Sequence, residues 1–145
     1  RVNHQTNKMQ IFLPYADIEQ SARVLDTQRL MKQRVESYQI LNTLQGKSAG
    51  WKSHPAVRMV QNYPAWLCLY SIKICQEARR RGYQDNLLPH FEKEILTYPY
   101  VIQPHWLGCY LHKTHQSNLI RKKPEFYSSK FPNIPDNLPY FWPPL

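Results

Sequence analysis

Arg29, Lys32, Gln33 and Glu36 fall at i, i+3, i+4 and i+7, the spacing that places side chains on one face of a helix. A lone carboxylate among cations can shuttle protons or steady a positive charge that develops on a substrate. The same spacing also describes an ordinary surface ion pair between Lys32 and Glu36, and spacing alone favours that plainer reading. His112 and His115 stand three apart, but no Cys, Asp or Glu cluster accompanies them at ligand spacing, so they are not expected to bind a metal. Cys68, Cys75 and Cys109 form an odd set without CxxC spacing, which argues against a disulfide framework and a structural zinc site. The expected setting is therefore intracellular and reducing, with nucleus, cytoplasm and organelle left open. Cys68 and Cys75, seven apart among Leu67, Leu69 and Ile72, read as buried thiols.

The elements that must carry these residues are helical. A helical pattern runs over 17–44 and exits at Gly46 and Gly50, with Val24, Met31, Val35, Tyr38 and Leu41 as its expected buried stripe, opposite Glu36. A second stretch starts near Pro55, is disturbed at Tyr63-Pro64 and continues over 65–81, where Gly82 suits a left-handed cap. Arg79, Arg80 and Arg81 sit where the helix dipole favours cations, and capping explains them at least as well as DNA contact. A short helix over 87–95, an extended connection over 97–104 and a third main helix over 107–122, stopped by Pro124, complete the pattern. From 132 onward prolines alternate with aromatics, which excludes regular helix and suggests a tail wrapped on the body. The expected fold class is all-α: one compact domain of about three main helices with a Pro/aromatic-rich C-terminal tail. Residues 1–8 read as an N-terminal extension or cloning remnant, 9–131 as the helical domain and 132–145 as the tail.

A chain of 145 residues suits one domain, and its formal charge of +9 points to a polyanionic partner. Nucleic acid leads, because Lys and Arg release condensed counterions from phosphates; an acidic protein or anionic lipid is the alternative. No apolar run reaches the roughly 20 residues that span a bilayer, and no leader pattern opens the chain, so no membrane role is expected.

Five ordered pieces carry a resemblance. They are Met9-Gln10-Ile11-Phe12-Leu13; Leu25-Asp26-Thr27-Gln28-Arg29-Leu30-Met31-Lys32-Gln33-Arg34-Val35-Glu36; Ser53-His54-Pro55-Ala56-Val57; Arg80-Arg81-Gly82-Tyr83; and the run from His115 through Lys123-Pro124 to Tyr127. In order and spacing they resemble the pyrimidine-dimer DNA glycosylases, the small phage-type UV endonucleases. The resemblance implies a compact helical fold, double-stranded DNA as partner, and a combined glycosylase and abasic-site lyase that works through an N-terminal α-amine and one glutamate. Glu36 matches that glutamate, and Met9 matches the residue bearing the amine, which is free only where Met9 is the true N-terminus. An α-amine with a pKa near 8 is partly neutral at pH 7 and can attack the sugar C1′ to form an imine, so the mechanism that the resemblance implies requires no metal or cofactor. Arg29, Lys32, Arg34, His54, Arg58, His115, Arg121, Lys122, Lys123 and Tyr127 are the candidate nucleic-acid contacts. The proline-rich end has no counterpart in the phage-type proteins. Two other readings stand beside the enzyme: a non-catalytic DNA- or RNA-binding module of the same fold, held in a larger assembly through the extension and the tail, and a basic protein-interaction module.

Overall fold

A computed structural model describes residues 9–144, which contain seven helices and no strand; the segment 1–8 read above as an extension lies outside the described residues. The helices are α1 (Ile18–Val24), α2 (Thr27–Leu44), α3 (Pro55–Arg58), α4 (Pro64–Arg80), α5 (Leu88–Ile95), α6 (Leu111–Lys122) and α7 (Pro124–Tyr127). No described helix is long and apolar enough to cross a membrane. α4 is the central element: it packs against α1, α2 and α5 and buries Trp66, Leu67, Tyr70, Ile74 and both Cys68 and Cys75.

Local chemistry sets the boundaries. Asp17 caps α1 by accepting the N–H groups of Glu19 and Gln20. The single helix expected over 17–44 is two, because Leu25 and Asp26 take extended backbone with ψ of 139° and 156°. Asp26 precedes α2 without capping it; its carboxylate instead meets Arg29 and the phenol of Tyr127. α2 and α4 end alike. Gly46 and Gly82 sit at φ of +76° and +91°, and the 6→1 and 5→2 bonds (Lys47 N–H to Asn42, Gly46 N–H to Thr43; Tyr83 N–H to Ala78, Gly82 N–H to Arg79) close both C-termini. The third main helix begins at Leu111, later than the sequence suggests, because residues 104–110 fold as successive turns anchored by the Trp106 indole, which donates to the Met59 carbonyl at 3.0 Å.

The buried face of α2 differs from the expected stripe. Leu30, Gln33, Glu36, Ser37, Ile40 and Leu41 point inward, whereas Val35 is 44% exposed and Met31 and Tyr38 are half-buried. The cause is what α2 packs against. Residues 9–13 are an extended, almost wholly buried segment, and buried backbone amides need polar partners. Side chains supply them. Gln33 accepts the Phe12 N–H at 2.9 Å and donates to the Gln10 carbonyl at 2.8 Å. Tyr70 donates to the Phe12 carbonyl at 2.7 Å, and His115 Nδ1 accepts the Leu13 N–H at 2.9 Å. His112 Nδ1 donates to the Leu13 carbonyl at 2.8 Å while its Nε2 accepts the Gly108 N–H. Three helices thus give an isolated extended segment the hydrogen bonds a sheet would give.

The C-terminal segment lies along α6. Leu138 N–H donates to Ser117 Oγ at 3.0 Å, Asn118 Nδ2 donates back to the Leu138 carbonyl at 3.0 Å, and Phe141 N–H donates to Thr114 Oγ1 at 3.2 Å. Arg121 reaches the Asp136 carbonyl from the same helix.

Candidate active site

Glu36 stands where α2 passes the N-terminal segment. Its Oε1 accepts the Gln10 N–H at 3.1 Å, and its Oε2 lies 3.4 Å from Lys32 Nζ. The expected ion pair is present, but it is no surface ladder, since Glu36 is only 7% exposed. Burial pushes its carboxyl pKa above the ordinary range, against the opposing pull of Lys32, the Gln10 amide and Lys122. Such a carboxyl carries a proton at a higher pH than a solvated one. Met9, one peptide upstream of the bonded amide, is itself buried.

Cations ring this carboxylate. Lys122, at the C-terminal end of α6, is held below the usual lysine range by partial burial and by the charges of Arg29, Lys32 and Arg121, with Glu36 opposing. Tyr70, fully buried, keeps its phenol protonated well above its ordinary range because burial and the Glu36 charge both disfavour the phenolate. Tyr140 from the C-terminal segment also feels the Glu36, Arg29 and Arg121 charges, and its phenol is pushed up to about 12, chiefly by burial.

The remaining candidate contacts divide. Arg58 is exposed and makes no ion pair among the described residues; Lys32 and Lys122 are also open to solvent. Lys123 is half-buried, 4.0 Å from Asp26 and over the Phe126 ring. Arg29 is engaged with Asp26, and Arg34 with the buried carboxylate of Asp85 at 2.6 Å. Arg121, though exposed, is turned to Asn118, Asp136 and Leu138. Three expectations are corrected by burial. His115 is fully buried against Leu13, and Tyr127 is fully buried against Asp26, so neither can touch a phosphate or base in this conformation. His54 is buried too, its Nδ1 accepting the Ala56 N–H as the cap of α3, with edge contacts to Trp51 and Trp142. The arginines at the C-terminal end of α4 serve structure: Arg80 and Arg81 clasp Glu77, and Arg81 also reaches the Ala22 and Arg23 carbonyls at the end of α1. No group of three or more His, Cys, Asp or Glu among the described residues could hold a metal.

Gln10 and Tyr70 stand near Glu36 without having been singled out from the sequence, and Gln33, noted there for its spacing, was given no role. Gln33 shares the helical face of Glu36, which was the available signal; nothing in sequence ties Tyr70 or Tyr140 to it.

No curated protein and no solved structure matches the chain significantly. A family model described as pyrimidine dimer DNA glycosylase matches residues 9–89, more than half of the chain and the part that holds both the N-terminal segment and Glu36. On that match the chain belongs to the pyrimidine dimer DNA glycosylase family.

Proposed function

We propose that the protein excises damaged pyrimidines from double-stranded DNA and then cleaves the strand at the abasic sugar, using the α-amine of Met9 and the carboxyl of Glu36. One observation supports the reading: Glu36 Oε1 accepts the Gln10 N–H at 3.1 Å, the backbone amide that follows Met9 in the chain. In the 145-residue sequence Met9 follows Lys8 and its nitrogen is an amide, so the proposal concerns the form whose first residue is Met9.

In that form the neutral amine attacks C1′, the glycosidic bond breaks with its electron pair leaving on the base, and the base is protonated as it departs. Ring opening gives a C1′ imine. Loss of a C2′ proton then expels the 3′ phosphate, and water hydrolyses the imine to free the amine. Glu36 stabilises the cationic sugar and its carboxyl exchanges the protons of ring opening and elimination. The exposed cations Lys32, Arg58 and Lys122 hold phosphates, and the net charge of +9 supports that footing.

Borohydride reduction of reactions on DNA containing an abasic site or a pyrimidine dimer tests this. The form beginning at Met9 is expected to give a covalent protein–DNA adduct and the 145-residue chain none. Absence of adduct from the Met9 form overturns the proposal.

A further inference from the structure

The segment 9–13 gives one edge of its backbone to α2 and α4. In an extended chain the N–H and C=O of alternate residues face the same side. Residues 10 and 12 turn theirs to side chains: the Gln10 N–H to Glu36 Oε1 at 3.1 Å, the Gln10 carbonyl to Gln33 Nε2 at 2.8 Å, the Phe12 N–H to Gln33 Oε1 at 2.9 Å and the Phe12 carbonyl to the Tyr70 hydroxyl at 2.7 Å. Leu13 turns instead to His115 and His112 on α6. Gln33 supplies the two middle bonds and has no exposure. Its carboxamide has one workable orientation, because turning it over would set oxygen against the Gln10 carbonyl and N–H against the Phe12 N–H. Ser37 Oγ, 3.4 Å from Nε2, favours the same orientation.

We propose that Gln33 is a positioning residue for the Met9 amine: its carboxamide clasps residues 10–12 and holds Gln10 in front of the Glu36 carboxyl. The inference rests on the reading of Met9 as the amine-bearing residue. Glu36 alone makes one bond to the segment, and a peptide held at one point can swing about that bond. Gln33 stands one turn earlier on the same face of α2, so its two bonds and the Glu36 bond dock the Gln10 N–H, the Gln10 carbonyl and the Phe12 N–H on one rigid element. Met9 precedes the first of these groups, and its nitrogen is carried on the frame that Gln33 fixes. A reacting group displaced by about 1 Å can lose roughly 100-fold in rate. Without the carboxamide, a buried carbonyl and a buried N–H lose their partners, and the segment relieves them by moving off α2, away from Glu36. The Glu36 carboxyl then loses the amide that opposes the effect of its burial.

The test uses Gln33→Met, which keeps the length of the side chain and removes both bonds. In the form beginning at Met9, at a temperature where variant and parent are folded, the rate of borohydride-trappable adduct at saturating DNA should fall roughly tenfold or more, with KM for DNA little changed. Two further readouts need no activity and use the 145-residue chain. Exchange of the Gln10 amide hydrogen, which Gln33 does not itself bond, should quicken roughly two- to tenfold beyond any change at the Leu41 amide, the worth of one hydrogen bond. The Glu36 carboxyl, followed by carbon NMR, should titrate at higher pH than in the parent. Gln33→Asn, one methylene too short to reach both groups, carries the same readouts should the methionine variant fail to fold. A parental trapping rate, a loss confined to KM, or unaltered Gln10 exchange and Glu36 titration each overturn the role. If wild-type protein beginning at Met9 traps nothing, the proposed function fails, and the exchange and titration arms still decide whether Gln33 holds Gln10 to Glu36.

Discussion

Tyr127 and Asp26 grip each other across 101 residues: the phenol donates to the Asp26 carboxylate and accepts the Asp26 N–H at 2.8 Å. This joins α7 to the break between α1 and α2. Burial pushes the Asp26 carboxyl up, but Tyr127 and Arg29 outweigh it and hold the group below its ordinary range. Tyr127→Phe leaves a buried carboxylate and a buried amide short of a partner, and is expected to cost about 1–3 kcal/mol in urea unfolding. DNA affinity at temperatures where both proteins are folded should not change. A selective loss of affinity without loss of stability would return Tyr127 to the nucleic-acid surface.

That pair also shows where sequence reading stops. The helices were legible because their signals are local: Asp17 before α1, Pro64 at the start of α4, Gly46 and Gly82 at two C-termini, Pro124 after α6. The inward face of α2 was not. It follows clean helical spacing through Leu30, Gln33, Ser37, Ile40 and Leu41, but counting only apolar residues skips Gln33 and Ser37 and settles on Val35 instead. A polar residue belongs inside when its partner is bare backbone, and that partner, residues 9–13, lies more than 20 residues away. Glu36 is buried at 7% exposure, whereas spacing put it on an exposed face. Tyr140 lies in a proline-rich stretch with no periodicity, so its ring contact with His115 depends on tertiary anchoring of its neighbours Leu138 and Phe141 by α6.

Glu36→Gln separates chemistry from stability. Glutamine keeps a carbonyl for the Gln10 N–H and removes the charge that burial penalises. The folded pKa of Glu36 is raised, so its contribution to stability is fully present below the unfolded value of about 4.5 and is lost as pH rises through the folded value. At pH 7 the variant should be as stable as the parent or more so. In the form beginning at Met9, strand cleavage should fall by at least ~100-fold, the usual worth of a positioned acid–base group. Cleavage at the parental rate would remove Glu36 from the reaction.

Arg34 and Arg58 look alike in sequence and should behave differently. Arg34 pairs with a carboxylate that has no exposure; its replacement by Ala leaves Asp85 with Arg79 and the Leu87 and Leu88 amides, a loss of about 2–4 kcal/mol. Arg58 is exposed, and Arg58→Ala should leave stability nearly unchanged. If Arg58 meets a phosphate, the slope of log K against log salt should flatten by about 0.9. Titrations of duplex DNA at several salt concentrations read this directly, and an unchanged slope takes Arg58 out of the interface.

Acid should loosen the N-terminal segment before it neutralises the carboxylates of Asp26, Glu77 and Asp85, while protonation of Glu36, whose pKa is raised, works in the opposite direction. His115 is fully buried, and burial together with the His112 charge depresses its pKa to about 3. Its Nδ1 must stay unprotonated to accept the Leu13 N–H, which leaves the proton on Nε2, a buried nitrogen without a hydrogen-bond partner among the described residues. Because the folded pKa lies below the unfolded value of 6.5, the stabilisation is complete above pH 6.5 and is lost progressively as pH falls toward 3. The unfolded chain takes up a proton that the folded one refuses, so each such histidine lowers stability by up to about 1.4 kcal/mol per pH unit. His54 and His112 are depressed by burial as well and act in the same direction. Urea midpoints at pH 7, 6 and 5 should therefore fall steadily, over a range in which the carboxyls of Asp26, Glu77 and Asp85, all held below their ordinary values, remain ionised. His115→Gln offers an amide oxygen to Leu13 without a titrating nitrogen: it should be less stable at pH 7, for loss of packing, but its stability should decline with acid by one proton's slope less than the parent. A variant with the parental slope would place the proton-sensitive lock of the N-terminal segment on another histidine.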